Sequence, residues 1–128
     1  MAMTQAIDIS QLEMMTSGDS ALAVEALGIF RQSAELWSRL LDAGADAEQW
    51  ADAAHGIKGA ARSIGAMALG DACETAEKLG RSGMATRVEA VVAISAIKDT
   101  LGQALESMAH VEHQLVMRRS FDGVRLDA

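Results

Sequence analysis

The sequence predicts an all-α protein, and three observations carry that prediction. Apolar residues recur three and four apart over long stretches, the period of an amphipathic helix. No proline, the strongest helix breaker, occurs in the 128 residues. Only 3% of the residues are aromatic, while alanine, leucine and methionine are plentiful, which favours helices over sheets. A chain of this length holds one domain with a real core. We place that domain at residues 1–117, with 118–128 as a frayed tail. No repeat or low-complexity tract divides it.

Taken in order, residues 1–6 read as loose. Asp8 with Gln11 resembles a capping box and opens a short helix with Ile9, Leu12 and Met15 apolar. Ser17-Gly18-Asp19 breaks it. A longer helix follows from about Ser20 to Asp42, with Leu22, Leu27, Phe30, Leu36 (or Trp37) and Leu40 as its core, and Gly44 as its C-terminal cap.

Asp46 with Gln49 starts the third helix. Gly65 ends it with a short turn, which makes the next helix antiparallel. That fourth helix, about Ala66 to Leu79, points Leu69, Ala72, Cys73 and Ala76 inward, and Gly80 and Gly83 flank the loop after it. Thr86 and Glu89 form a Thr-x-x-Glu capping box for a long last helix. Its helical stripe is Val91, Ile94, Ile97, Leu101, Leu105, Met108 and Val111, and it extends towards Met117. The residues from Arg118 onward lack periodicity.

The chemistry lies in the third helix. At about 100° per residue, Trp50, Ala54, Ile57, Ala61 and Ile64 form one apolar stripe. His55 lies roughly 140° from its centre and so faces solvent. Gly59 and Arg62 share its face, and Lys58 flanks it. A mid-helix glycine costs about 1 kcal/mol relative to alanine and asks for a reason. Gly59 stands at i+4 from His55, where it removes the neighbour that would shield the imidazole. An uncovered imidazole, a cleared approach and a cation at i+3 suit transfer of an anionic group, above all a phosphoryl group. A neutral imidazole is a nucleophile without a general base. Lys58 supplies charge neutralisation, which with positioning is most of what phosphoryl transfer needs. Gly56 lines up with Ala53, Ala60 and Ser63 on a small-residue ridge, where a neighbouring helix approaches closely.

The run His55-x-Ile57-Lys58-Gly59-Ala60-Ala61, followed by Ile64-Gly65-Ala66, resembles the motif of histidine-containing phosphotransfer (HPt) domains. Leu69, Cys73 and Ala76-Glu77 continue the pattern, and the looser resemblance runs from about Ile7 to about Met108. It implies an antiparallel up-down four-helix bundle with a short additional N-terminal helix. It further implies that His55 is the phosphorylated residue, in a relay between receiver-domain aspartates or from a sensor kinase. The partners implied are a response-regulator receiver domain and a hybrid or sensor histidine kinase. No cofactor is implied in this chain, and a Mg²⁺ ion is expected in the receiver. The resemblance also suggests a small apolar patch beside His55 for docking, with Ile9, Leu12 or Met15 as contributors. Arg62 lies two turns beyond His55, about 10 Å along the axis, and is read as touching a partner. Asp52, three residues before His55, is read as a rim residue able to raise the imidazole pKa.

The totals exclude other classes. A net charge of −7 argues against a nucleic-acid binder. No apolar run approaches the roughly 20 residues of a membrane span. The single cysteine, Cys73, fits a reducing cytoplasm, and the N-terminus lacks a signal layout. His110 and His113 read as an exposed helix face, since two ligands do not complete a metal site. An autonomous kinase fails on size and on the absence of a Gly-rich phosphate loop. The chain is expected to be a monomeric phosphocarrier and not an enzyme in its own right. The alternative is a helical adaptor that binds the same partners without carrying phosphate.

Overall fold

A computed structural model describes residues 6–126. Five helices follow one another: α1 (Ile9–Met15), α2 (Ser20–Leu40), α3 (Ala47–Ser63), α4 (Met67–Arg81) and α5 (Arg87–Arg118). Helices α2 to α5 form an antiparallel four-helix bundle, each packed on the next and α5 closing on α2, while α1 rests on α2 and α3 at one end.

Local chemistry sets the boundaries. Asp8, Asp19 and Asp46 cap α1, α2 and α3 by accepting main-chain N–H bonds. Thr86 and Glu89 form the complete reciprocal capping box at α5. Gly65 takes φ +90 just past the end of α3, a conformation that favours glycine. Its carbonyl accepts a bond from Asp8 N–H at 2.8 Å, which ties the start of α1 to the α3–α4 turn. Gly44 does not cap α2. The helix ends at Leu40 with Leu41 as its cap, and Gly44 N–H instead donates to Asp42 in the connecting loop.

Trp50, Leu27, Ile57, Leu69, Ile97 and Met108 lie fully buried at the centre. Each such side chain contributes about 1.5–3 kcal/mol on leaving water. The core stripe of α3 forms as expected, but the other stripes need correction. Leu22, Leu36, Leu40 and Val91 are exposed, and so is Met15. On α2 the interior positions belong to Ala23, Leu27, Phe30 and Ala34. Alanines there let the helices approach closely and leave the bulky leucines outside. Trp37 packs edge-on to Phe30, ring centroids 6.1 Å apart. A Cβ on Gly56 would meet Trp37 Nε1 at 3.1 Å, so the expected close approach at Gly56 is to α2.

Gly80 is not a loop residue. It lies inside α4, where a Cβ would stand 2.8 Å from Trp50 Cζ3 and 2.9 Å from Ala51 Cβ. The glycine allows α4 to close on α3 at the level of Trp50. The tail from Arg118 also departs from expectation. Arg119 ends α5 in the left-handed region, and residues 120–126 turn back along it. Val124 is buried, and Gln114 holds the Arg125 main chain through both amide atoms. The expectations for residues 1–5, and for the last two of the tail, lie outside the described residues.

Candidate functional site

His55 sits at the middle of α3 and projects outward. Its side chain is 64% exposed, against 14% for Glu77, the α4 residue it meets. Glu77 Oε2 lies 2.8 Å from His55 Nδ1, and Glu77 Oε1 accepts from Lys58 Nζ at 2.6 Å. One carboxylate therefore holds both residues of the third-helix pair. The Lys58 ammonium and then the His55 ring hold its pKa below the usual glutamate range, against the opposing effect of burial. An ionised carboxylate only accepts, so Nδ1 carries the hydrogen that points at Glu77. In the neutral ring the lone pair then belongs to the second nitrogen, Nε2.

Gly59 is exposed and has no neighbour within 4 Å of a built Cβ. The space one turn beyond the imidazole is open, as the sequence suggested. Lys58 is half-buried rather than a free flank charge, because Glu77 draws it towards α4. Arg81, one turn after Glu77, extends the network. It bonds Glu48 at 2.6 Å and Asp52 at 2.7 Å and stands 3.8 Å from Glu77.

The structure moves several expected residues. Asp52 turns to Arg81, not to the imidazole. Arg62 leaves α3 on the same side as His55, towards α4, but is engaged within the chain rather than left free for a partner: its stem crosses Gly70, where a Cβ would meet Arg62 Cγ at 2.8 Å, and its guanidinium pairs with Asp71 and Glu74. Leu12 is fully buried under α1 and cannot form a docking face. Ile9 is half-buried, and Met15, with its neighbour Met14, presents apolar surface to solvent. His113 is exposed as expected, but His110 is half-buried, with an enclosed Nε2 that has no hydrogen-bond partner among the described residues. Cys73 is a buried core thiol whose pKa burial pushes up to about 12.

Glu77 and Arg81 are the site residues the sequence reading did not select. A faint signal for Glu77 existed. It follows Ala76 in the motif and stands one turn after Cys73, on the flank of a core stripe.

A helical bundle that holds an exposed histidine against a carboxylate of the adjacent helix has the layout of a helical phosphocarrier domain. The chain belongs to the Hpt domain family, whose model matches residues 20–115. It resembles the histidine phosphotransferase ShpA of Caulobacter crescentus, known from a crystal structure. The two are 33% identical with a TM-score of 0.70, over 89% of this chain and 97% of that one. No curated protein matches the chain. Members of this family are phosphocarriers, and the protein is a histidine phosphotransfer domain of a two-component phosphorelay, with receiver domains and histidine kinases as its partner classes. Among the described residues no helix is long and apolar enough to cross a membrane.

Proposed function

We propose that His55 is the phosphoacceptor of this chain, with Nε2 as the attacking atom. The observation that carries this reading is the Glu77 contact to Nδ1, which leaves Nε2 as the nucleophile. In the forward step the Nε2 lone pair attacks the phosphorus of a receiver's aspartyl phosphate. The new P–N bond forms as the P–O bond to the aspartate breaks, and the aspartate leaves as a carboxylate. The ring becomes cationic as phosphorus binds, and Glu77 stabilises that charge through the Nδ1 hydrogen. Lys58 brings a second positive charge to the incoming phosphoryl oxygens. Gly59 leaves the approach clear. The reverse sequence delivers the group to the next aspartate.

One chain supplies His55, Lys58 and Glu77, so the transferring species is the monomer. We assign the Mg²⁺ of the exchange to the receiver, because Glu77, Asp52 and Glu48 are already engaged by Lys58 and Arg81. The exposed methionines of α1 and half-buried Ile9 supply apolar docking surface for that receiver, and the reaction belongs to the cytoplasm. The carrier has no kinase activity of its own.

The test uses a receiver carrying radiolabelled phosphate. The full chain takes up label that is acid-labile and alkali-stable, and none from ATP alone. His55→Gln takes up none while keeping its helix content. Label persisting on that variant, at His110 or His113 for instance, overturns the assignment. A wild-type chain that binds the receiver yet never labels is the adaptor alternative.

A further inference from the structure

Helix α2 carries more apolar surface than the bundle uses. Leu22, Ile29 and Leu36 recur every seven residues and are all exposed, Ile29 at 57% and Leu36 at 62%. Ala26, Ser33 and Leu40 each follow four residues later. The six alternate at spacings of four and three, the seam of a coiled coil. This seam is distinct from the α2 core stripe of Ala23, Leu27, Phe30 and Ala34. It runs about 27 Å along the helix. Scattered exposed leucines need no explanation, but an in-register row of them does.

Charge flanks the seam in a self-complementary order. Glu25, Gln32 and Arg39 each directly precede the second residue of a seam pair, Ala26, Ser33 and Leu40. Neither Glu25 nor Arg39 makes an ion pair among the described residues. Laid antiparallel on a second copy of itself, α2 sets Ala26 against Leu36, Ser33 against Ile29 and Leu40 against Leu22, each twice. Small side chains then meet large ones in the four central layers. The same register sets Glu25 beside Arg39 at both ends and Gln32 beside its own copy. A parallel pairing would stack Ala26 on Ala26 and Ser33 on Ser33, and would leave both charges without a counterpart.

We infer that this chain self-associates through α2, as an antiparallel two-fold dimer with a second copy of itself. A single helix pair falls below the roughly 1,200 Å² of standard interfaces, so the dimer is of the transient class. It draws on none of the residues that carry the His55 chemistry.

Sedimentation velocity on the full chain, from about 10 μM to about 1 mM, spans the affinities such an interface reaches. The average mass rises with concentration towards twice the monomer. Glu25→Arg and Arg39→Glu, both at exposed positions and checked for wild-type helix content, each stay monomeric. Mixed in equal amounts they associate again, because each new charge then faces its opposite. A wild-type mass that stays monomeric throughout overturns the proposal, as does a mixture no heavier than its components. If Leu36→Glu slows transfer from a receiver while the wild type never dimerises, the seam belongs to the receiver and the proposal falls.

Discussion

Glu77 reaches across from α4 and meets His55 Nδ1 at 2.8 Å, so the imidazole is oriented by a residue 22 positions away in sequence. The contact fixes both the ring plane and the tautomer. Glu77→Ala removes the acceptor and lets the ring turn. In-line transfer tolerates little misplacement, and about 1 Å costs on the order of 10²-fold in rate. We expect Glu77→Ala to lose transfer on that scale and Glu77→Gln, which can still accept, to lose less. Nitrogen NMR of the imidazole should show the Nδ1–H form in the wild type and a mixture in Glu77→Ala. A wild-type transfer rate for the alanine variant would refute the positioning role.

The same carboxylate makes stability depend on acid. Its folded pKa lies below the ordinary value of 4.5, which the unfolded chain restores. Its contribution is therefore complete above that value and is lost as pH falls through the lower folded pKa. Melts of His55→Gln with and without Glu77→Gln, which remove the titration of the imidazole itself, should differ by a constant amount near neutrality. The gap should close in the acid range below 4.5. A gap that does not change with pH would mean that the ion pair with Lys58 contributes nothing.

Two glycines inside helices should respond oppositely to alanine. Gly59 has open space around it, so Gly59→Ala should stabilise the protein by roughly 0.5–1 kcal/mol. Gly80 has Trp50 at 2.8 Å and the Ala47 carbonyl at 3.1 Å from the added carbon, so Gly80→Ala should destabilise by about 1–3 kcal/mol. Thermal melts decide both. Gly59→Gln should keep its melting temperature yet transfer slowly, since the side chain would stand in the approach to His55.

In α1, Leu12 and Met15 separate folding from recognition. Leu12 is fully buried, and Leu12→Ala should cost about 2–5 kcal/mol. Met15 is exposed, so Met15→Glu should change stability by less than about 0.5 kcal/mol while weakening receiver binding. Calorimetry with a receiver and denaturant melts give the two numbers. A receiver affinity unaffected by Met15→Glu would remove α1 from the docking surface.

How far the sequence could be read depended on how local each feature is. The Thr86–Glu89 box, the Asp8 cap and the outward phase of His55 follow from neighbours within one or two turns, and all were legible. The interior of α2 was not. Leu22, Leu36 and Leu40 share a helical period with a plausible core, but the bundle is close enough there for Ala23 and Ala34 to fill it. Choosing between two adjacent stripes requires the neighbouring helix. Gly80 was ambiguous for a related reason, because glycine marks both turns and tight helix contacts. Glu77 and Arg81 needed the register of α4 against α3, which no local pattern encodes.

The bond from Asp8 N–H to the Gly65 carbonyl carries a consequence for how this protein can fail. A Cβ at Gly65 would stand 2.4 Å from the Asp8 carbonyl oxygen, so any other residue there pushes against the start of α1. That collision lies at the end of the bundle, more than two turns from His55. The damage would fall on addressing and spare the reaction. With α1 displaced, a small phosphodonor would still charge the histidine, whereas a receiver that identifies its carrier through α1 would pass it by. Wiring errors in a relay can thus begin at a residue that touches neither the phosphate nor the partner.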